Sequence, residues 1–142
     1  RMVLNIDPAA TFLDLAGQPV PSAMHGRSWK PLLEGKGDTP WRESFFYCYF
    51  RERGYEAPET TAVRTTDAKL IKYPGHDEWT EMFDLASDPY EMKNLAADPA
   101  HAALRAKLEA EYDRQAKAIG FQNPDVADDP SPGKQAGRNK AR

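Results

Sequence analysis

The chain has 142 residues, 40% of them hydrophobic and 29% charged, with a net charge of −3 and a single cysteine. That balance admits one small domain or the end of a larger one, and it argues against a nucleic-acid binder, which carries a concentrated basic face. No apolar run is long enough to span a bilayer, no secretory signal pattern opens the chain, and one cysteine excludes an internal disulfide framework. The first residue is Arg1 and not Met, as expected of a fragment or a processed product.

Asn5 to Gly17 predicts a short helix with both ends marked. Asp7 is expected to cap the free amides of the first turn, with Pro8 at the first helical position. Gly17 is expected to end the helix in the left-handed conformation. Phe12, Leu13, Leu15 and Ala16 make this helix apolar, yet it is too short to stand alone, so it must dock on something. Gln18 to Gly37 is punctuated by proline and glycine and reads as a connector pinned by Trp29, Leu32 and Leu33. His25 stands alone before a turn, without a second ligand at zinc-like spacing.

Trp41 to Phe50, WRESFFYCYF, predicts a central strand. Alternation puts Phe45, Tyr47 and Tyr49 on one side and Phe46, Cys48 and Phe50 on the other. With both sides apolar, the strand is expected to be covered on both faces, Cys48 serving as a buried small hydrophobe. Arg51 to Thr61, RERGYEAPETT, is polar and turn-rich and reads as an exposed loop.

From Ala62 the pattern alternates again. Val63 and Arg64 precede a hairpin loop at Thr65 to Ala68, and Leu70, Ile71 and Tyr73 follow around Lys69 and Lys72. After Pro74-Gly75, Trp79, Glu81, Phe83 and Leu85 share one face, and Thr80, Met82 and Asp84 the other. This predicts three short strands in sequence, a meander. His76-Asp77 has the composition of an acid–base pair, but neighbours in a loop rarely aim at one reacting atom and no nucleophile accompanies them, so a solvated turn is the reading. Asp84, Asp88 and Glu91 lack the alternating oxygen ligands of a calcium loop. Asp88-Pro89 reads as a turn and helix-start signal, with Glu91 to Leu95 leading away from the sheet.

Asp98-Pro99 opens the longest predicted helix, to about Ile119. Ala100, Leu104, Leu108, Tyr112, Ala116 and Ile119 form one apolar stripe suited to lie on the meander, while Arg105, Lys107, Glu111, Arg114 and Lys117 face solvent. Residues after about Asp128 are expected to be disordered. The fold class is therefore α+β: an antiparallel sheet of about four strands packed against a long C-terminal helix, preceded by a short helix.

Val63-Arg64-Thr65, Lys69-Leu70-Ile71 and Tyr73, followed by Glu81, Phe83-Asp84-Leu85, Asp88-Pro89, Glu91 and Asn94-Leu95, closely resemble the C-terminal subdomain of the type I sulfatases. These are formylglycine-dependent sulfuric ester hydrolases of the alkaline phosphatase superfamily. The likeness runs from about Asn5 to Gly120 and includes the first helix and the connector. It implies that residues 1–37 end the large α/β sulfatase domain, 38–121 form the C-terminal subdomain and 122–142 a flexible tail. It also implies an N-terminal catalytic domain as partner, a sulfated small molecule or glycan as substrate, and a periplasmic or extracellular setting.

Calcium and formylglycine are implied for the full-length parent and neither for this chain. Cys48 is followed by Tyr49-Phe50-Arg51, which is not the C-x-P-S-R context that formylglycine formation requires, and the family's calcium-binding aspartates are absent. The chain alone is expected to be inactive, with no metal site and no catalytic residue. The resemblance places candidate substrate contacts at Arg51, Arg53, Glu59, Thr60 and Arg64, the arginines holding an anion through forked hydrogen bonds. Glu59-Thr60 stand where an Arg-His pair is common in sulfatases of glycosaminoglycans, which points away from such a substrate. A phosphonate or phosphate ester hydrolase of the same superfamily, and a non-catalytic binding module, are the alternatives.

Overall fold

The computed structural model describes residues 1–36, 38–50 and 57–122. The chain divides into two compact units, Arg1–Ser44 and Phe45–Arg142.

In the first unit, helix α1 spans Asp7–Leu15 and the single turn α2 spans Lys30–Leu33. Gly17, at φ +68°, ends α1 as expected, and the Gln18 amide reaches back to the Leu13 carbonyl at 2.9 Å. Asp7 departs from expectation. The N-cap position is Ile6, which offers no side-chain acceptor. The Asp7 side chain instead turns inward, fully buried, and accepts hydrogen bonds from the backbone amides of Leu4 (2.7 Å) and Arg27 (2.9 Å). The Arg42 guanidinium grips the same carboxylate with both terminal nitrogens, one at 2.7 Å.

A carboxylate so far from water is tolerated only when its lone pairs are fully used, and here they are. Burial alone would raise its pKa, but Arg42 and the Arg27 and Leu4 amides outweigh that and hold it below the ordinary value. The connector is drawn equally close elsewhere. Gly26 passes so near the chain before α1 that a Cβ there would lie 2.1 Å from the Ile6 carbonyl oxygen. Arg27 and Arg42 both stack on Trp41, at 5.0 and 5.1 Å from its ring, and the Trp41 indole donates to the Met2 carbonyl.

The second unit carries a four-stranded antiparallel sheet in the order β1-β2-β3-β4, made by Ser44–Tyr49, Thr60–Thr65, Ala68–Lys72 and Glu81–Asp84. Thr66-Asp67 close the β2–β3 hairpin, with Ala62 opposite Ile71 and Arg64 opposite Lys69. The Asp67 carbonyl then accepts from the Leu85 amide beyond β4. Helix α3, Ala102–Ala118, follows a 3₁₀ turn at Pro99–His101, where the Asp98 carboxylate accepts from the Ala100 amide.

The core lies between α3 and one face of the sheet: Val63, Leu70, Met82, Leu95 and Leu108 are buried there. Each such aliphatic side chain contributes about 1.5–3 kcal/mol by leaving water. The Tyr112 hydroxyl ties the helix to β2 by donating to Thr61 Oγ1 at 2.9 Å. Gly120, at φ +65°, ends the helix in a paired motif, its own amide bonding the Lys117 carbonyl and the Phe121 amide that of Ala116. That turn delivers the Phe121 ring to Phe46, 4.9 Å between centroids. The apolar stripe holds over Leu104, Leu108, Tyr112 and Ala116, whereas Ala100 and Ile119 are exposed.

Three further expectations need correction. β1 lies at the end of the strand order and is not central; Phe46 faces the core while Tyr47 and Cys48 are exposed. Alternation tells which residues share a face, not which faces are covered. β4 is shorter than the run that predicts it, because Trp79 belongs to a 3₁₀ turn, Asp77–Trp79, and stacks on the His76 ring at 3.8 Å. Finally, no helix starts at Asp88-Pro89, and Leu95 does not leave the sheet. Its amide donates to the Met82 carbonyl at 2.8 Å and its side chain enters the core. The expectation of disorder beyond Asp128 falls outside the described residues.

Candidate functional site

Side chains of successive residues in a strand point to opposite faces, so the residues that alternate with the core line the other side of the sheet. Phe45 and Tyr47 from β1, Thr60, Ala62 and Arg64 from β2, and Lys69 and Ile71 from β3 enclose a half-open hollow of about 290 Å³ there. Its walls are mostly apolar, with charge concentrated at one end.

That charge is arranged unusually. Arg64 and Lys69 are directly opposite across the hairpin, where like charges oppose each other and weaken the pairing. Lys69 has a counterion: its ammonium pairs with the Glu91 carboxylate and sits 5.6 Å from the centre of the Phe83 ring. Glu91 adopts φ +57°, a conformation that non-glycine residues take only when the surroundings require it. The Asp88 carboxylate accepts from the Lys93 amide at 2.9 Å and closes the turn that carries Glu91. Arg64 has no hydrogen-bond or ion-pair partner among the described residues, although it is half-buried.

Of the candidates from sequence, Arg51 and Arg53 lie outside the described residues. Glu59 stands immediately before β2 and does not line the hollow. Thr60 and Arg64 do line it, and the Thr60 hydroxyl donates to the Pro58 carbonyl at 3.0 Å, leaving its lone pairs free to accept. Phe45, Tyr47, Lys69 and Glu91 were not among the candidates. The signal for Lys69 was present: a loop at Thr65 to Ala68 already sets Arg64 opposite Lys69. Glu91 lies 22 positions further on, and no local pattern links it to Lys69.

The other chemistry-bearing groups singled out from the sequence do not line the hollow. Asp7 is fully buried with both oxygens occupied, so it cannot reach a substrate. His76 stacks on Trp79 with its Nδ1 at 3.3 Å from Glu78, in an exposed turn. His25 is exposed and Cys48 lies on the end strand. Among the described residues no three His, Cys, Asp or Glu side chains gather in a way that could hold a metal ion. No helix there is long and apolar enough to cross a membrane.

The family profile described as "N-sulphoglucosamine sulphohydrolase, C-terminal" matches residues 1–118, across both units. The chain belongs to that family. It is a C-terminal sulfatase subdomain of the alkaline phosphatase superfamily. It is 39% identical over 129 residues to an N-acetylglucosamine-6-O-sulfatase of Bacteroides thetaiotaomicron, a match covering 86% of this chain and 22% of the relative. A solved structure in complex with its substrate, D-glucosamine-2-N,6-O-disulfate, superposes with a TM-score of 0.75 at 35% identity, covering 84% of this chain and 25% of that one. A phosphonate monoester hydrolase from Silicibacter pomeroyi superposes with a TM-score of 0.67 at 28% identity, covering 80% and 24%. The subdomain thus spans about a quarter or less of the length of these relatives.

Membership in this family implies formylglycine and calcium. The residues of the subdomain do not fit either group: Cys48 is in the sequence Cys48-Tyr49-Phe50-Arg51, and the Asp84, Asp88, Asp98 and Glu91 carboxylates are engaged in turns, a cap and an ion pair.

Proposed function

We propose that the chain is the C-terminal part of a sulfuric ester hydrolase acting on a sulfated carbohydrate, in which it walls the substrate cleft. Bond breaking belongs to a catalytic domain outside this chain, the partner that this reading requires. The observation that carries the proposal is the 39% identity to an N-acetylglucosamine-6-O-sulfatase over 129 residues, which spans the helix, the connector and the sheet together. The relative with D-glucosamine-2-N,6-O-disulfate bound points to a sulfated hexosamine as the substrate class. Glu59-Thr60 depart from the Arg-His pair common in sulfatases of glycosaminoglycans, which points away from such a substrate. Phe12 and Leu15 on α1 are 68% and 53% exposed, and such apolar side chains suit a surface buried against a catalytic domain.

The likeness to a phosphonate monoester hydrolase supports a second reading, phosphonate or phosphate ester hydrolysis on the same scaffold. One experiment separates the two. The full-length protein containing this segment is offered 6-O-sulfated N-acetylglucosamine and a phosphonate monoester, and release of sulfate and of alcohol is measured. Preferential sulfate release is the expected result, with none from this chain alone. Turnover of the phosphonate with none of the sulfated sugar overturns the proposal.

A further inference from the structure

The hollow on the sheet face contains an imbalance that the fold itself does not resolve. Two cations face each other across a hairpin, and one carboxylate, Glu91, is committed to Lys69 by a backbone conformation that is unfavourable for a glutamate. Arg64 is left half-buried, beside Ala62 and Thr60, without a counterion among the described residues. Removing a guanidinium partly from water without a partner is unfavourable, and an incoming anion would reverse that. The guanidinium is a planar fork of donors that matches two oxygens of a sulfate or carboxylate at once.

The rest of the hollow describes what should be attached to the anion. Tyr47, 48% exposed, and Phe45 present aromatic faces, and Ala62 and Ile71 add aliphatic surface. One face of a pyranose ring is a layer of C–H bonds, which gains dispersion contact against such a surface while its hydroxyls remain at the rim. The free lone pairs of Thr60 Oγ1 accept from one of them. A volume of about 290 Å³ is at the lower end of small-ligand sites, suited to one ring and not to an oligosaccharide.

We infer that this hollow is a subsite for one sulfated hexosamine ring, with the ring against Tyr47 and its sulfate paired with Arg64. The inference rests on the sulfatase reading and adds to it a place and two residues. Glu91 is a positioning residue in this arrangement: it holds Lys69 away from the ligand, so that Arg64 alone makes the forked contact.

The test follows the Arg64 side-chain Nε–H signal by NMR while the chain is titrated with D-glucosamine-2-N,6-O-disulfate, glucosamine and inorganic sulfate in turn. The expected result is a saturable shift with the disulfated sugar, at least about tenfold weaker binding of inorganic sulfate, and no response to glucosamine. Tyr47→Ala and Arg64→Lys should each weaken binding of the disulfated sugar about tenfold; Arg64→Lys keeps the charge and hence the fold. Equal affinity for inorganic sulfate, or no shift in a chain whose amide spectrum shows it folded, overturns the subsite.

In the full-length protein the same two substitutions should raise KM about tenfold. If Arg64 is there already fixed by a carboxylate of the catalytic domain and ignores the sugar, the subsite is overturned. If sulfated sugars are hydrolysed and the substitutions leave KM unchanged, the subsite falls while the sulfatase reading stands. If no sulfated sugar is hydrolysed and Arg64 still responds to the disulfated ligand, the reaction class is wrong and the subsite stands.

Discussion

The two units of this chain each keep their own shape, and they do so by opposite means. From Phe45 onward, structure is secured by apolar burial: Val63, Leu70, Met82 and Leu108 are at most 1% exposed. Among the described residues of 1–44 the only buried hydrophobic residue is Ala10, Phe12 and Leu15 of α1 are exposed, and the buried centre is polar, made by Asp7 and Thr11. The Thr11 hydroxyl donates to the Asp7 carbonyl and accepts from the Trp29 amide, extending the network that Asp7 begins. A segment that keeps its apolar surface free needs another way to hold its own shape, and a saturated carboxylate supplies it.

This contrast is broken most severely at Asp7. Asp7→Asn leaves the nearly buried Arg42 guanidinium without its counterion and should cost about 3–5 kcal/mol. The check is hydrogen exchange at the Leu4 and Arg27 amides, which should become fast; unchanged protection would show that the network does not hold the unit. Acid acts on the same group. Its folded pKa is held below the ordinary 3.8, so its contribution is complete above that value and is lost as pH falls from there through the depressed folded value. Exchange at Leu4 and Arg27 should accelerate in that window, and Asp7→Asn should abolish the acceleration.

In the sheet unit the corresponding substitution is Leu108→Ala, expected to lower stability by about 3 kcal/mol through a cavity between α3 and the sheet, read as a lower midpoint in urea. Asn94→Ala should cost about 1–2 kcal/mol, because the Asn94 side-chain oxygen accepts from the Met82 and Ala96 amides. Smallest is Tyr112→Phe. It keeps the ring contacts and removes only the bond to Thr61, about 1 kcal/mol by thermal melting. If Tyr112→Phe proved costlier than Leu108→Ala, the second unit too would depend on polar contacts, and the contrast would fail.

Much of this was legible in the sequence because it is local. The helix stop at Gly17, the Thr66-Asp67 hairpin, the cap at Asp98-Pro99 and the Leu104-Leu108-Tyr112 stripe each depend on residues a few positions apart. What was missed depends on residues brought together from a distance. Asp7-Pro8 has the spacing of a cap, and only the arrival of Arg42, 35 positions on, makes Asp7 an ion-pair centre instead. WRESFFYCYF alternates correctly, but its position at the end of the strand order is a property of the whole sheet. Arg64 was recognised from family resemblance as an anion contact, whereas Tyr47 and Phe45 enter the same hollow because β1 lies beside β2.

Asn94 and Leu95 have one more consequence. β4 would otherwise offer its outer backbone as a template for another strand, which is how sheets of separate molecules join and aggregate. Its Met82 amide is instead occupied by the Asn94 side chain, its Met82 carbonyl by the Leu95 amide, and the preceding Thr80 carbonyl by the Asn94 amide nitrogen at 3.1 Å. One asparagine and its neighbour thus imitate a strand too short to recruit a further one, and they close that border of the sheet to growth.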